Sequence, residues 1–342
     1  MKKLKGVAVG LGYFSRFHLE AWGRLDEVDL TAICDTDKKK AKQMAAKFSV
    51  PNFYTNVAEM LQREQPDFID IITPPETHLE LCQIAAEHKI SIICQKPLAP
   101  TSEIAEQIAN LVTTHDIRIM VHENFRFQPW HREIKKLLER NTIGTQLHAI
   151  QWRMRMGDGW QDDAYMNRQP YFRKMKELLL YETGIHLIDV LRYFGGEINQ
   201  VYAKLNRYNQ NIRGEDSALV ICDFAKGGTA LVDAGRYHES TYENPRLTFG
   251  AIQIEGNKGS VYLHENGSIT LKPLGQPEIQ HEYNFEDKNF SGDCVYTTQK
   301  HFVERLNSGE PFETDVQDYL SNISIIDKAY ESNKEGIPKK MK

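Results

Sequence analysis

Gly6-Val7-Ala8-Val9-Gly10-Leu11-Gly12-Tyr13-Phe14-Ser15 reads as an apolar strand running into a glycine turn and out into a helix. Gly10 has the freedom a tight turn needs, and Gly12 lacks the Cβ that would keep a diphosphate from the backbone at the positive end of the helix. The third small position of the Gly-x-Gly-x-x-Gly pattern, usually a glycine that lets helix and strand pack closely, is Ser15. Residues 30–34 read as the second strand, closed by Asp35, whose carboxylate suits hydrogen bonds from ribose hydroxyls and repels a 2′-phosphate. Thr36 and Asp37 supply no arginine for such a phosphate, so the pattern favours NAD(H), while Lys38 to Lys40 leave NADP(H) open. Tyr13 and Phe14 join Gly10, Gly12 and Asp35 as predicted cofactor neighbours.

Working outward, residues 6–9, 30–34, 68–72, 91–94 and 118–121 are strand-like. They alternate with helical apolar spacing over 38–48, 57–64, 78–88 and 102–115. Such a βαβ series predicts an α/β Rossmann domain, a doubly wound parallel sheet over residues 1–122, with its ligand at the carboxyl ends of the strands. Thr73-Pro74-Pro75 and Gln95-Lys96-Pro97 follow two of those strands. Beyond residue 123 the pattern changes. Helical spacing over 129–140 and 181–194 is interleaved with strand candidates at 144–156, 201–206, 217–224, 229–237, 247–255, 260–264 and 269–273. Gly227-Gly228 and Asn266-Gly267 sit at hairpin positions. This predicts a second, α+β domain over residues 123–342 with a large, mostly antiparallel open sheet. Two helices follow at 295–306 and 316–333, and the last of them is a candidate to pack back on the first domain.

The 342 residues, 41% of them hydrophobic, suffice for two cores, and a net charge of -5 without a basic, aromatic-interleaved stripe argues against nucleic acid. The apolar stretches are strand-sized and the first residues lead into a strand, so a cytoplasmic protein with no membrane partner is expected. Cys34, Cys82, Cys94, Cys222 and Cys294 are odd in number and widely spaced, which predicts reduced packing residues and no metal site.

Glu182, His186 and Asp189 stand at i, i+4 and i+7, one face of a continuous helix, which groups an acid, a base and an acid for proton transfer. The alternative is a solvated helix face or a histidine satisfied in packing.

The chain resembles the Gfo/Idh/MocA oxidoreductases. The likeness rests on four motifs in order: Gly10-Leu11-Gly12 with His18, Thr73-Pro74-Pro75 with His78, Gln95-Lys96-Pro97, and Gly184-Ile185-His186 with Asp189. It implies that Lys96 orients and polarises the substrate hydroxyl, and that His186 is the catalytic base. Glu182 stands where the family usually has aspartate, and Asp189 approaches the substrate or orients His186. It further implies cofactor contacts from Thr73, Pro74, His78, Gln95 and Asn124, Gln95 replacing the family's glutamate with an uncharged amide. Arg126 and Pro129 flank that segment. The irregular stretch 156–175 and its approach supply Arg153, Arg155, Asp158, Trp160, Tyr165 and Tyr171. Arg155, Asp158, Tyr165 and Tyr171, with His186 and Asp189, are the expected substrate contacts.

The expected activity is NAD(H)-dependent hydride transfer on a sugar, polyol or sugar derivative. The alternatives are an NAD-retaining glycosidase or lyase working through transient oxidation and a non-catalytic NAD-binding regulator. A homodimer or homotetramer through the second-domain sheet is also implied.

Overall fold

A computed structural model describes residues 3–341. In chain order it begins β1 (Leu4–Val9), α1 (Ser15–Trp22), β2 (Val28–Cys34), α2 (Lys38–Phe48), β3 (Asn52–Tyr54), α3 (Val57–Glu64) and β4 (Phe68–Ile71). Next come α4 (His78–Glu87), β5 (Ser91–Gln95), α5 (Ser102–His115), β6 (Ile119–His122), α6 (Pro129–Glu139), β7 (Leu147–Arg155), α7 (Ile185–Gly195), β8 (Ile198–Asn206) and β9 (Ser217–Phe224). The remainder is β10 (Thr229–Gly235), β11 (Ala251–Gly256), β12 (Gly259–Leu263), β13 (Ile269–Pro273), β14 (Ile279–His281), α8 (Cys294–Ser308), α9 (Val316–Glu335) and β15 (Lys339–Lys340).

The chain divides into two compact units. One runs up to Asn124 and takes in Val295–Ser321; the other comprises Phe125–Cys294 and the chain from Asn322 onward. The division is thus discontinuous, with Val295–Ser321 grouped with the first unit. The cause is apolar: Phe302 of α8 stacks edge-on against Phe68 at 5.3 Å, and Phe68 lies 4.8 Å from Trp22. The following loop is tied to β6 by Thr314, whose hydroxyl donates to the Val121 carbonyl at 2.6 Å.

The first unit holds a fully parallel sheet in the order β3-β2-β1-β4-β5-β6, the doubly wound arrangement the strand-helix alternation predicts. The order reverses between β1 and β4, so the turn at Gly10 and the loop at Thr73 both open at the switch point.

The second unit holds a sheet in the order β14-β13-β12-β11-β7-β10-β9-β8-β15, antiparallel throughout except where β7 runs parallel to β10. Ile150, Trp152 and Met154 alternate inward on β7 while Gln151 and Arg153 face out. Leu187 and Ile188 of α7 share a small cavity with Ala218, Val220, Val232 and Ala234, which places that helix against the inner face. Gly227 and Gly228 take φ of 91° and 88° in the β9–β10 hairpin, and Gly267 takes 83° in the β12–β13 hairpin.

Two boundaries differ from expectation. Residues 181–194 are not one helix, because a π-helical turn, Leu179–Gly184, precedes α7. The strand expected from 247 begins at Ala251, since Phe249 and Gly250 turn the chain with φ of 57° and 112°. All five cysteines are buried and outside any disulfide, and burial pushes the Cys34 and Cys222 thiols up to about 12. No described helix is long and apolar enough to cross a membrane.

Candidate active site

In the parallel-sheet unit, Gly10 has φ +92°, and a Cβ there would lie 2.7 Å from the Thr73 methyl and 2.8 Å from the backbone of Ile72 and Thr73. The turn and the loop after β4 therefore touch. Around Gly12 an added Cβ would meet nothing within 4 Å, which leaves open space above the turn. Phe14 caps α1 without a side-chain hydrogen bond and the first turn carries no acid, so the positive helix end faces that space unneutralised. These residues fit a dinucleotide.

Asp35 accepts from Leu11 N at 2.9 Å, Asp37 N at 3.0 Å and Lys40 Nζ at 2.7 Å. Burial alone would lift its carboxyl, but the Lys40 contact and the two backbone donors outweigh it and hold the carboxyl below its ordinary value of 3.8. A depressed folded value means that this anchoring is fully present above the ordinary value and is lost as pH falls through the folded one. Urea melts of wild type and Asp35→Asn should thus differ at neutral pH and converge in acid. A difference that persists unchanged in acid would contradict the anchoring.

Other predicted cofactor residues are engaged internally. His78 is buried, with Nδ1 2.9 Å from the Leu98 carbonyl and Nε2 2.8 Å from the Thr73 carbonyl, so it staples the loops after β4 and β5 together and does not reach outward. Thr77 donates to the Thr73 hydroxyl at 2.7 Å. Tyr13 is exposed under the Arg16 guanidinium, 4.4 Å from the ring centre, while Phe14 packs on Phe17 and His18. Asn124 is buried at the end of the unit, and Pro74 opens the turn at Pro75–Thr77. Gln95, only 8% exposed, also turns inward: its Oε1 accepts from Lys96 N at 2.7 Å and its Nε2 lies 3.1 Å from His18 Nε2. Lys96 is half-buried where β5 ends.

In the second unit the imidazole of His186 lies flat on Phe125, ring centres 3.9 Å apart and planes within 6°. Asp189, one turn further along α7, is fully buried. Arg126 grips it through Nε at 2.8 Å and Nη2 at 2.6 Å, and Asn322 donates at 2.8 Å. Its oxygens are engaged by Arg126 and Asn322, and with Phe125 it clamps the segment before α6 to the helix bearing His186.

Glu182 sits in the π-helical turn, whose wider winding breaks the α-helical face shared with His186. Its carboxylate accepts from the Thr183 hydroxyl at 2.8 Å, and Thr183 accepts from Arg236 Nη1 at 2.9 Å. Glu215 holds the start of this turn, accepting from Leu180 N at 2.9 Å and the Tyr330 hydroxyl at 2.7 Å; burial pushes its carboxyl up.

Asp158 is held by Arg236 and Arg246 at 2.8 and 2.7 Å and by Arg168 at 3.4 Å. Burial would raise its carboxyl, yet the three guanidiniums keep it below the ordinary value. Burial pushes the Tyr165 phenol up to about 12, and its ring lies under Arg236. Tyr171 is exposed and bonded to Gln169. Arg155 is tied to the sheet, donating to Asp233 Oδ2 at 2.6 Å and to the Asp233 carbonyl. Arg236 and Glu215 carry no local signal as site residues, because their partners lie far along the chain.

Residues 4–123 match the model of the oxidoreductase family with an NAD-binding Rossmann fold, and residues 131–262 match the GFO/IDH/MocA C-terminal domain. The chain is 30% identical to D-apiose dehydrogenase of Paraburkholderia graminis, covering 98% of this chain and 89% of that protein. It is also 30% identical to D-apiose dehydrogenase of Rhizobium rhizogenes, covering 98% and 97%. An oxidoreductase from Agrobacterium radiobacter, solved with NAD+, L-tartaric acid and magnesium, superposes with a TM-score of 0.91 at 28% identity, covering 99% of this chain and 98% of that one.

Proposed function

Because this chain belongs to the GFO/IDH/MocA family of NAD-binding oxidoreductases, we propose that it is an NAD+-linked dehydrogenase oxidising a sugar hydroxyl, with D-apiose as the first substrate to test. The likeness to D-apiose dehydrogenases over nearly the whole chain carries the choice of sugar. The anchored Asp35 supports NAD+ over NADP+, because its carboxylate would meet a 2′-phosphate and Lys40 is already paired with it.

The backbone at Gly10 to Gly12 and the α1 terminus would hold the diphosphate, and Asp35 would receive the adenosine ribose. NAD+, when bound, supplies the two-electron acceptor. The Lys96 ammonium stabilises negative charge developing on the substrate oxygen, and the neutral His186 imidazole takes the hydroxyl proton. Phe125 fixes the plane of that imidazole, and Asp189 acts through Arg126 as a positioning residue. Glu182, Asp158 and Tyr165 shape the polar surroundings of the π-helical turn.

The test is NADH formation with D-apiose, myo-inositol and levoglucosan, each with NAD+ and NADP+. The expected result is the highest kcat/KM for D-apiose with NAD+. Tight NAD+ binding with no NADH from any sugar would replace this reading with that of a cofactor-binding regulator.

A further inference from the structure

We infer that Asp70, His18 and Gln95 form a buried strut, locked in one protonation state, that positions Lys96. Asp70 lies within β4, His18 on α1 and Gln95 at the end of β5, and all three are buried.

The direction of every hydrogen bond in the strut follows from its outer end. Lys96 N–H can only donate, so the group 2.7 Å away must be the amide oxygen of Gln95. The NH2 of the same amide then faces His18 Nε2 at 3.1 Å, and a ring nitrogen facing a donor at that distance must accept. The ring proton is therefore on Nδ1, 2.7 Å from Asp70 Oδ2. That oxygen also accepts from Trp22 Nε1 at 2.7 Å.

His18 is consequently neutral. A second proton would point an N–H at the Gln95 NH2. The groups packed around the ring agree: His122 of β6 lies face-on with centres 4.1 Å apart, Phe14 lies edge-on, and Gln299 of α8 donates to the His18 carbonyl. Asp70 is the acidic side chain in hydrogen-bond contact with the ring.

All donors run one way, from the Lys96 backbone through Gln95 and His18 to Asp70, so each bond polarises the next. The strut ends on the peptide nitrogen of the residue that carries the ammonium, and the next residue, Pro97, has no N–H with which to hold the strand end. Gln95 can transmit this constraint because an amide donates at one end and accepts at the other. A carboxylate at residue 95 could serve Lys96 N–H in the same way, but its second oxygen would require a protonated Nε2 on His18.

The functional half of this inference rests on the role proposed for Lys96, whereas the protonation half does not. Nitrogen-15 NMR of histidine-labelled full-length protein at neutral pH, with His18 assigned by its loss in His18→Gln, should show a neutral ring protonated on Nδ1. In Gln95→Glu the same ring should appear doubly protonated, since the second carboxylate oxygen would then face His18 Nε2. Gln95→Leu should lower kcat by about tenfold to a hundredfold, the scale of a misplaced catalytic group, with a smaller change in KM for NAD+. A wild-type His18 protonated on Nε2, or on both nitrogens, overturns the strut. Unchanged kcat in Gln95→Leu overturns the positioning of Lys96. Absence of dehydrogenase activity in the wild type would count against the proposed function and leave the NMR result to decide the strut.

Discussion

Replacing His186 by asparagine should lower kcat by about two to four orders of magnitude, the usual contribution of a positioned general acid or base, while NAD+ affinity stays near wild type. The side chain is almost wholly buried, and its flat contact with Phe125 leaves rotation about the ring axis little freedom. Asparagine retains polarity and part of the volume but cannot take a proton in the neutral range. Turnover equal to wild type would remove His186 from the chemistry.

Arg126→Met should cost about 3–5 kcal/mol of stability, read as a shift of the urea midpoint, because it strands a buried carboxylate. Asp189 has no exposed side-chain surface and Arg126 grips it with two nitrogens. The companion variant Arg126→Met with Asp189→Leu should recover much of the loss, since replacing both members of a buried pair by apolar groups is often nearly neutral. If the single variant is as stable as wild type, the pair is not the clamp described for it. Activity retained in a stable double variant means that the Asp189 carboxylate does no chemistry on the substrate.

Five of the six strands of the parallel sheet are legible in the sequence, and the three-residue β3 at its edge is not. Helices α2, α3 and α5 follow Asp37, Asn56 and Thr101, each of which accepts the capping hydrogen bonds that end the preceding extended segment. Periodicity and capping are local, so they can be read locally. The π-helical turn at Leu179–Gly184 is different, because a single wide turn leaves no repeat, and the spacing of Glu182, His186 and Asp189 then imitates an uninterrupted α-helix. The same limit hides the partners that decide what the candidate residues do. Arg126 meets Asp189 across 63 positions of chain and Arg236 meets Asp158 across 78, and no pattern in the sequence announces either. Short strands escape for another reason: β14 and β15 have three and two residues, too few for alternation to register.

The burial of the cysteines has a practical meaning. Cys34, Cys82 and Cys94 lie in one unit and Cys222 in the other, each as a free thiol. High thiol pKa values and lack of solvent contact keep Cys34 and Cys222 unreactive while the fold is closed. An alkylating reagent therefore acts as a clock that runs only when a unit opens. Identifying which cysteine is tagged first reports, without any introduced label, which half of the molecule breathes more readily.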